Sequence, residues 1–105
     1  MGDMHGAVSF KHMDASEALT SDVLAKIARL ERVAPEMTRC RVVIEAPHHK
    51  KLHGRTYRVV IRAQLRAEEL VVGKAAELPA HEDPYVAVRD AFAAMRRRLE
   101  AARAH

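Results

Sequence analysis

The sequence predicts an α+β domain: a β-α-β-β-β-α two-layer sandwich, with a four-stranded sheet carrying two helices on one face. Three observations predict it. Two segments repeat apolar residues three and four apart, and each opens with a helix-capping signal. Four shorter segments alternate apolar and polar residues with the period of two that buries one face of a strand. The length, 105 residues, suits one domain and leaves no room for a second core.

Val8 and Phe10 alternate with Ser9 and Lys11 and read as a short first strand. Asp14 precedes Glu17 by three positions, a capping-box pattern that predicts a helix from about Ala15 to Val33. Leu19, Val23, Ile27 and Leu30 form its apolar stripe, and Pro35 ends it. Cys40, Val42 and Ile44 alternate with Arg41 and Val43 as a second strand. Pro47–Gly54 is a basic, polar loop. Tyr57, Val59, Ile61, Ala63 and Leu65 then alternate with Arg58, Val60, Arg62, Gln64 and Arg66, the clearest strand in the chain. Glu68 and Glu69 mark a turn, Leu70 to Lys74 a fourth strand, and residues 75–82 a connection. Asp83 is a natural N-cap and Pro84 suits a first helical position, where its missing N–H costs nothing. Tyr85, Val88, Phe92, Met95 and Leu99 give the final helix its stripe, running close to the C-terminus.

Strand–helix–strand predicts a parallel crossover, and the later strands are close enough to pair as antiparallel hairpins. With both stripes on one sheet face, the other face is left wet and carries Arg41, Arg58 and Arg62. The whole chain, 1–105, is expected to be a single domain with its core over about 7–103.

Hydrophobic residues make up 49% and charged ones 30%, a globular balance. The formal charge is +4, and it is segregated. Residues 39–66 carry Arg39, Arg41, Lys50, Lys51, Arg55, Arg58, Arg62 and Arg66 against Glu45 alone. Residues 67–88 carry Glu68, Glu69, Glu77, Glu82 and Asp83 against Lys74 alone. That distribution points to a polyanionic partner. No apolar run approaches the roughly 20 residues of a membrane span, and the start of the chain lacks the apolar stretch of a signal peptide. The expectation is a cytoplasmic protein with no membrane partner. The lone Cys40 reads as a small core residue.

At 100° per residue, Arg89, Arg96 and Arg103 drift only about 20° per step of seven and form one line beside the apolar stripe. Lys26 and Arg29 border the stripe of the first helix, with Arg32 continuing around it. Side by side, the two rows make one basic strip. Arg96, Arg97 and Arg98 span most of a turn, so at least one points elsewhere. All four aromatics, Phe10, Tyr57, Tyr85 and Phe92, fall on the apolar phase. Stacking of RNA bases on the open sheet is therefore not expected, and contacts to the phosphates of folded RNA fit better.

Three stretches carry a family resemblance: Asp14-Ala-Ser-Glu-Ala-Leu19, Val23-Leu-Ala-Lys-Ile-Ala-Arg-Leu-Glu31, and His81-Glu-Asp-Pro-Tyr-Val-Ala-Val-Arg-Asp-Ala-Phe92. With Arg41-Val-Val-Ile-Glu45 followed by Pro47-His48-His49, they make the chain resemble the ribosome hibernation promoting factors, also called ribosome-associated translation inhibitors or sigma modulation proteins. The resemblance runs from about Val8 to Arg103. It implies a fold similar to the double-stranded-RNA-binding domain. It also implies binding to ribosomal RNA of the small subunit, between head and body, with translation inhibited sterically and no chemistry performed. By that resemblance Lys26, Arg29, Arg89, Arg96 and Arg97 are RNA-binding candidates, and Arg103, Lys50 and Lys51 join them on charge. No cofactor and no small-molecule substrate are implied, and the bound form is expected to be a monomer. The chain departs from one branch in having Ala80 where a lysine precedes the His-Glu-Asp triplet. It stops soon after the second helix, so a C-terminal dimerisation domain is not expected.

Other readings stand beside this one. His48, His49 and His53 share a loop and imidazole is a good zinc ligand, but no Cys or carboxylate accompanies them and Lys50 and Lys51 repel a cation. His81, Glu82 and Asp83 suggest an acid–base cluster, for which helix capping is the simpler account. A protein-interaction module using the wet face or a free strand edge, or a binder of some other folded RNA, is the remaining alternative.

Overall fold

A computed structural model describes residues 5–46, 56–74 and 81–103. The elements are β1 (His5–Lys11), α1 (Glu17–Val33), β2 (Arg39–Glu45), β3 (Arg58–Gln64), β4 (Glu69–Val72) and α2 (Pro84–Arg103). They form the expected β-α-β-β-β-α order. One sheet holds the strands in sequence order, β1-β2-β3-β4. β1 and β2 are parallel, as a helical crossover requires. The β2–β3 and β3–β4 pairs are antiparallel.

The alternation read from the sequence fixes which face is buried. Cys40, Val42 and Ile44 of β2, Val59, Ile61 and Ala63 of β3, and Leu70 and Val72 of β4 all point into the core. α1 adds Leu19, Val23, Ile27 and Leu30, and α2 adds Ala87, Val88, Ala91, Phe92, Met95 and Leu99. α1 packs over β1, and α2 over β3 and β4, so the two helices share one face and touch each other. Each fully buried aliphatic side chain stabilises by roughly 1.5–3 kcal/mol. Among the described residues no polar or charged side chain is buried, so no desolvated polar group opposes that gain. Burial pushes the Cys40 thiol up to about 12. It is therefore an unreactive core residue, as expected.

Several local expectations are corrected. The first helix begins at Glu17 rather than near Ala15, because Ser16 is its cap: the Ser16 Oγ accepts from the Leu19 N–H at 3.1 Å. A hydroxyl in extended backbone two residues past Asp14 satisfies an orphan amide of the first turn and takes the role. Glu69 is not a turn residue. It pairs with Gln64 in the ladder, and the turn is closed one step earlier by Leu65 N–H to Glu68 C=O at 2.8 Å. The Gln64 side-chain amide donates to the Leu65 and Glu68 carbonyls at 2.8 and 3.1 Å, holding that turn.

The fourth strand stops at Val72 rather than Lys74 because Gly73 leaves it with φ +91°. A Cβ there would lie 2.0 Å from the Val59 carbonyl oxygen, so only glycine fits. β3 begins at Arg58, with Tyr57 making one isolated bridge to His81; the Tyr57 N–H donates to the His81 carbonyl at 2.7 Å. Tyr85 does not join the stripe of α2. It is 43% exposed, because it stands in the first turn and to one side of the core-facing residues.

Candidate nucleic-acid interface

α1 and α2 run in the same direction. α1 follows a strand parallel to β4, and α2 follows β4 itself, so each returns over the sheet with the same polarity. Their carboxyl ends meet at Arg103, whose guanidinium donates to the Val33 carbonyl and lies 3.5 Å from the Glu36 carboxylate. Positive charge at a helix C-terminus is favourable, and the bond satisfies an orphan carbonyl of α1.

Alongside this clasp the facing flanks leave a groove of about 230 Å³, lined by Lys26, Arg29, Leu30 and Val33 of α1 and Phe92, Ala93 and Arg96 of α2. Its floor is apolar and its rim is cationic. The structure thus brings together three of the sequence-derived candidates, Lys26, Arg29 and Arg96. Periodicity explains this: residues three apart on α1 and one heptad apart on α2 each keep to one flank.

The rim charges differ in how they are held. Lys26 Nζ contacts both oxygens of Asp22 at 3.0 Å. Arg96 Nε donates to Glu100 at 3.1 Å. Among the described residues Arg29 makes no ion pair. It is the least committed cation of the rim.

Arg89 lies one heptad before Arg96 on the same flank, 67% exposed at its side chain and 3.2 Å from Asp90. Asp90 is also 2.6 Å from His81 Nε2. Burial alone raises the Asp90 carboxyl, but hydrogen bonds and charge from His81 and Arg89 outweigh it and hold it below its ordinary value. His81 is therefore anchored at both ends, its carbonyl to Tyr57 just before β3 and its ring to α2. The neighbouring triplet residue Asp83 caps α2, accepting from the Tyr85 N–H at 2.8 Å. Among the described residues no group of His, Cys, Asp and Glu is arranged to hold a metal ion.

Other candidates are placed differently. Arg97 is exposed and is not among the residues that line the groove. Arg103 is spent on the clasp. Arg98 reaches the other way, donating to the Val71 carbonyl at the β4 edge at 3.1 Å. Lys50, Lys51, His48, His49 and His53 lie outside the described residues.

Tyr85 is the residue that sequence reasoning missed. It stands four residues before Arg89 and eleven before Arg96, on the same cationic flank. The i, i+4, i+11 spacing was the available signal; an apolar ring in a helix stripe otherwise reads as core.

A family model matches residues 7–104, and its description is sigma 54 modulation protein / S30EA ribosomal protein. The chain belongs to this family. The resemblance drawn from the sequence and the fold class are thus both borne out, and the family is one of ribosome-associated proteins. No curated protein matches the sequence. Among solved structures, the N-terminal domain of Protein Y from Thermus thermophilus is similar with a TM-score of 0.69 at 21% identity, over 90% of this chain and 93% of that one. A ribosomal subunit interface protein from Coxiella burnetii is similar with a TM-score of 0.71 at 16% identity, over 96% of this chain and all of that one (100%). At such identities these likenesses concern the fold, and they match the four-stranded sheet and paired helices of this family member. No described helix is long and apolar enough to cross a membrane.

Proposed function

We propose that this domain binds the small ribosomal subunit through the cationic flanks of α1 and α2 and inhibits translation by occupying space that messenger and transfer RNA need. The observation that carries the reading is the shared groove. Lys26 and Arg29 from one helix and Arg96 from the other rim a single concavity, with Arg89 and Tyr85 continuing its flank. A rim of this kind suits the phosphates of folded RNA. Membership of a family of ribosome-associated proteins supports ribosomal RNA as that partner. The reading needs no bond made or broken and no cofactor. Inhibition follows from a rigid body held in a channel, in the cytoplasm where ribosomes work.

Comigration with purified small subunits on a sucrose gradient, together with inhibition of translation in an extract, is the test. The wild-type protein is expected to do both, and Lys26→Glu/Arg29→Glu to do neither while keeping its melting temperature. Absence of comigration by the wild type would overturn the reading. A folded RNA other than ribosomal RNA captured in its place would identify the alternative partner.

A further inference from the structure

The open face of the sheet takes no part in the groove, and it carries a separate concentration of charge. Register places Lys11, Glu45 and Arg58 in one row across β1, β2 and β3. Ser9, Val43 and Val60 form the next row, and Ala7, Arg41, Arg62 and Val71 the third. Arg39, Gln64 and Glu69 form the fourth. All alternate with buried neighbours and so point outward. Lys11, Arg39, Arg41, Arg58 and Arg62 are opposed only by Glu45 and Glu69, five cations against two acids, an excess of three. Nothing in the strand pairing requires it.

The centre of this face is the most costly part. Arg41 and Arg62 stand directly opposite each other on antiparallel strands, an arrangement of like charges that destabilises a sheet. Arg62 is partly relieved by Glu69 at 3.3 Å. Arg41 makes no ion pair among the described residues. Both line one depression of about 170 Å³, together with Ser9 and the aliphatic surfaces of Val43 and Val60. Two planar guanidinium forks and a hydroxyl over an aliphatic floor match a phosphodiester, which guanidinium binds bidentately. No described aromatic side chain points to this face, so the backbone of a nucleic acid fits it and stacked bases do not.

We propose that the open sheet face, centred on Arg41 and Arg62, is a second phosphate-binding surface, so that the domain contacts folded RNA on both of its broad faces. The proposal rests on the reading that RNA is the partner and extends it: the domain sits between two RNA segments instead of resting on one.

Two double variants separate the surfaces: Arg41→Gln/Arg62→Gln on the sheet and Lys26→Gln/Arg29→Gln on the helices. Binding to purified small subunits and to a short RNA duplex is measured across a salt series. The sheet variant is expected to flatten the slope of log K against log salt by about 1.4 to 1.8, the loss of two phosphate contacts. Arg41→Lys/Arg62→Lys restores most of it. Relief of the Arg41–Arg62 repulsion leaves the melting temperature of the Gln variant unchanged or raised, which separates lost binding from lost folding. If only the helix variant weakens binding to subunits, the sheet surface is overturned and the proposed function stands. If the wild type ignores subunits but binds duplex RNA through Arg41 and Arg62, the proposed function fails and the sheet surface stands. Binding to neither RNA, or a preference of this face for a polyglutamate peptide, overturns the sheet proposal.

Discussion

Arg29 offers the sharpest test of the groove. Lys26 and Arg96 are already committed to Asp22 and Glu100, in (i, i+4) pairs worth roughly 0.3–0.5 kcal/mol each. A phosphate arriving at either must exchange that pair. Arg29 has nothing to exchange. A charge-assisted hydrogen bond contributes about 1.5–3 kcal/mol, so Arg29→Ala is expected to weaken binding to small subunits about 10- to 150-fold. Lys26→Ala and Arg96→Ala should each cost about twofold less than that. The cations of the two flanks, Lys26, Arg29, Arg89 and Arg96, give a log–log salt slope of about −2.8 to −3.6. Raising salt from about 50 to about 200 mM then weakens their contribution about 50- to 150-fold. Arg29→Ala removes about 0.7–0.9 from that slope. Titration of labelled protein with subunits at several salt concentrations measures both quantities. Arg97→Ala is the comparison, since Arg97 is exposed but does not line the groove. If Arg29→Ala binds no more weakly than Arg97→Ala, or leaves the slope unchanged, the groove is not the contact surface.

Gly73→Ala places a methyl group against the Val59 carbonyl at a positive φ. The domain should lose about 2 kcal/mol or more, a fall of roughly 8–16 °C in thermal unfolding. Ser16→Ala should cost about 1 kcal/mol through the lost cap of α1, while Asp14→Ala, two residues short of that role, should leave denaturant midpoints where they are. Asp90 has a depressed carboxyl, so its contribution to stability is full above the unfolded-state value and is lost as pH falls through the folded one. Asp90→Asn should therefore flatten the acid side of the stability–pH curve and leave the neutral side parallel to wild type, as followed by urea unfolding at stepped pH.

The fold was legible because its periodicities are clean. Tyr57 to Leu65 alternate with one break, at Val60, and the stripe Leu19, Val23, Ile27, Leu30 has no polar insertion, so strand and helix are each over-determined. Ends were less legible. Asp14 and Ser16 carry equally good capping groups, and only backbone geometry decides between them. Gly73 showed its meaning only once the Val59 carbonyl stood beside it. Lys26, Arg29 and Arg96 were found together because spacing on two helices predicts a shared flank when both lie on one sheet. Arg103 and Arg97 were not separable from them by spacing. One is drawn into a contact 70 residues away in sequence, and the other differs from Arg96 by a single rotation of 100°. Tyr85 was misread for the opposite reason: it is apolar enough for the stripe, but it lies to one side of the core-facing residues, while Ala87 and Val88 beside it are buried.

The clasp of Arg103 on Val33 has an electrical consequence for the molecule as a whole. Two helices laid side by side in the same sense add their dipoles instead of cancelling them, which concentrates partial negative charge where they finish and partial positive charge where they begin. The guanidinium at the finishing end, with Arg32 in the last turn of α1, neutralises the first of these. The other end is offset in the same way, by Glu17 in the first turn of α1 and by the Asp83 carboxylate that caps α2. With both ends offset, the field that a polyanion meets comes from the cationic rows along the helix flanks and not from the helix ends.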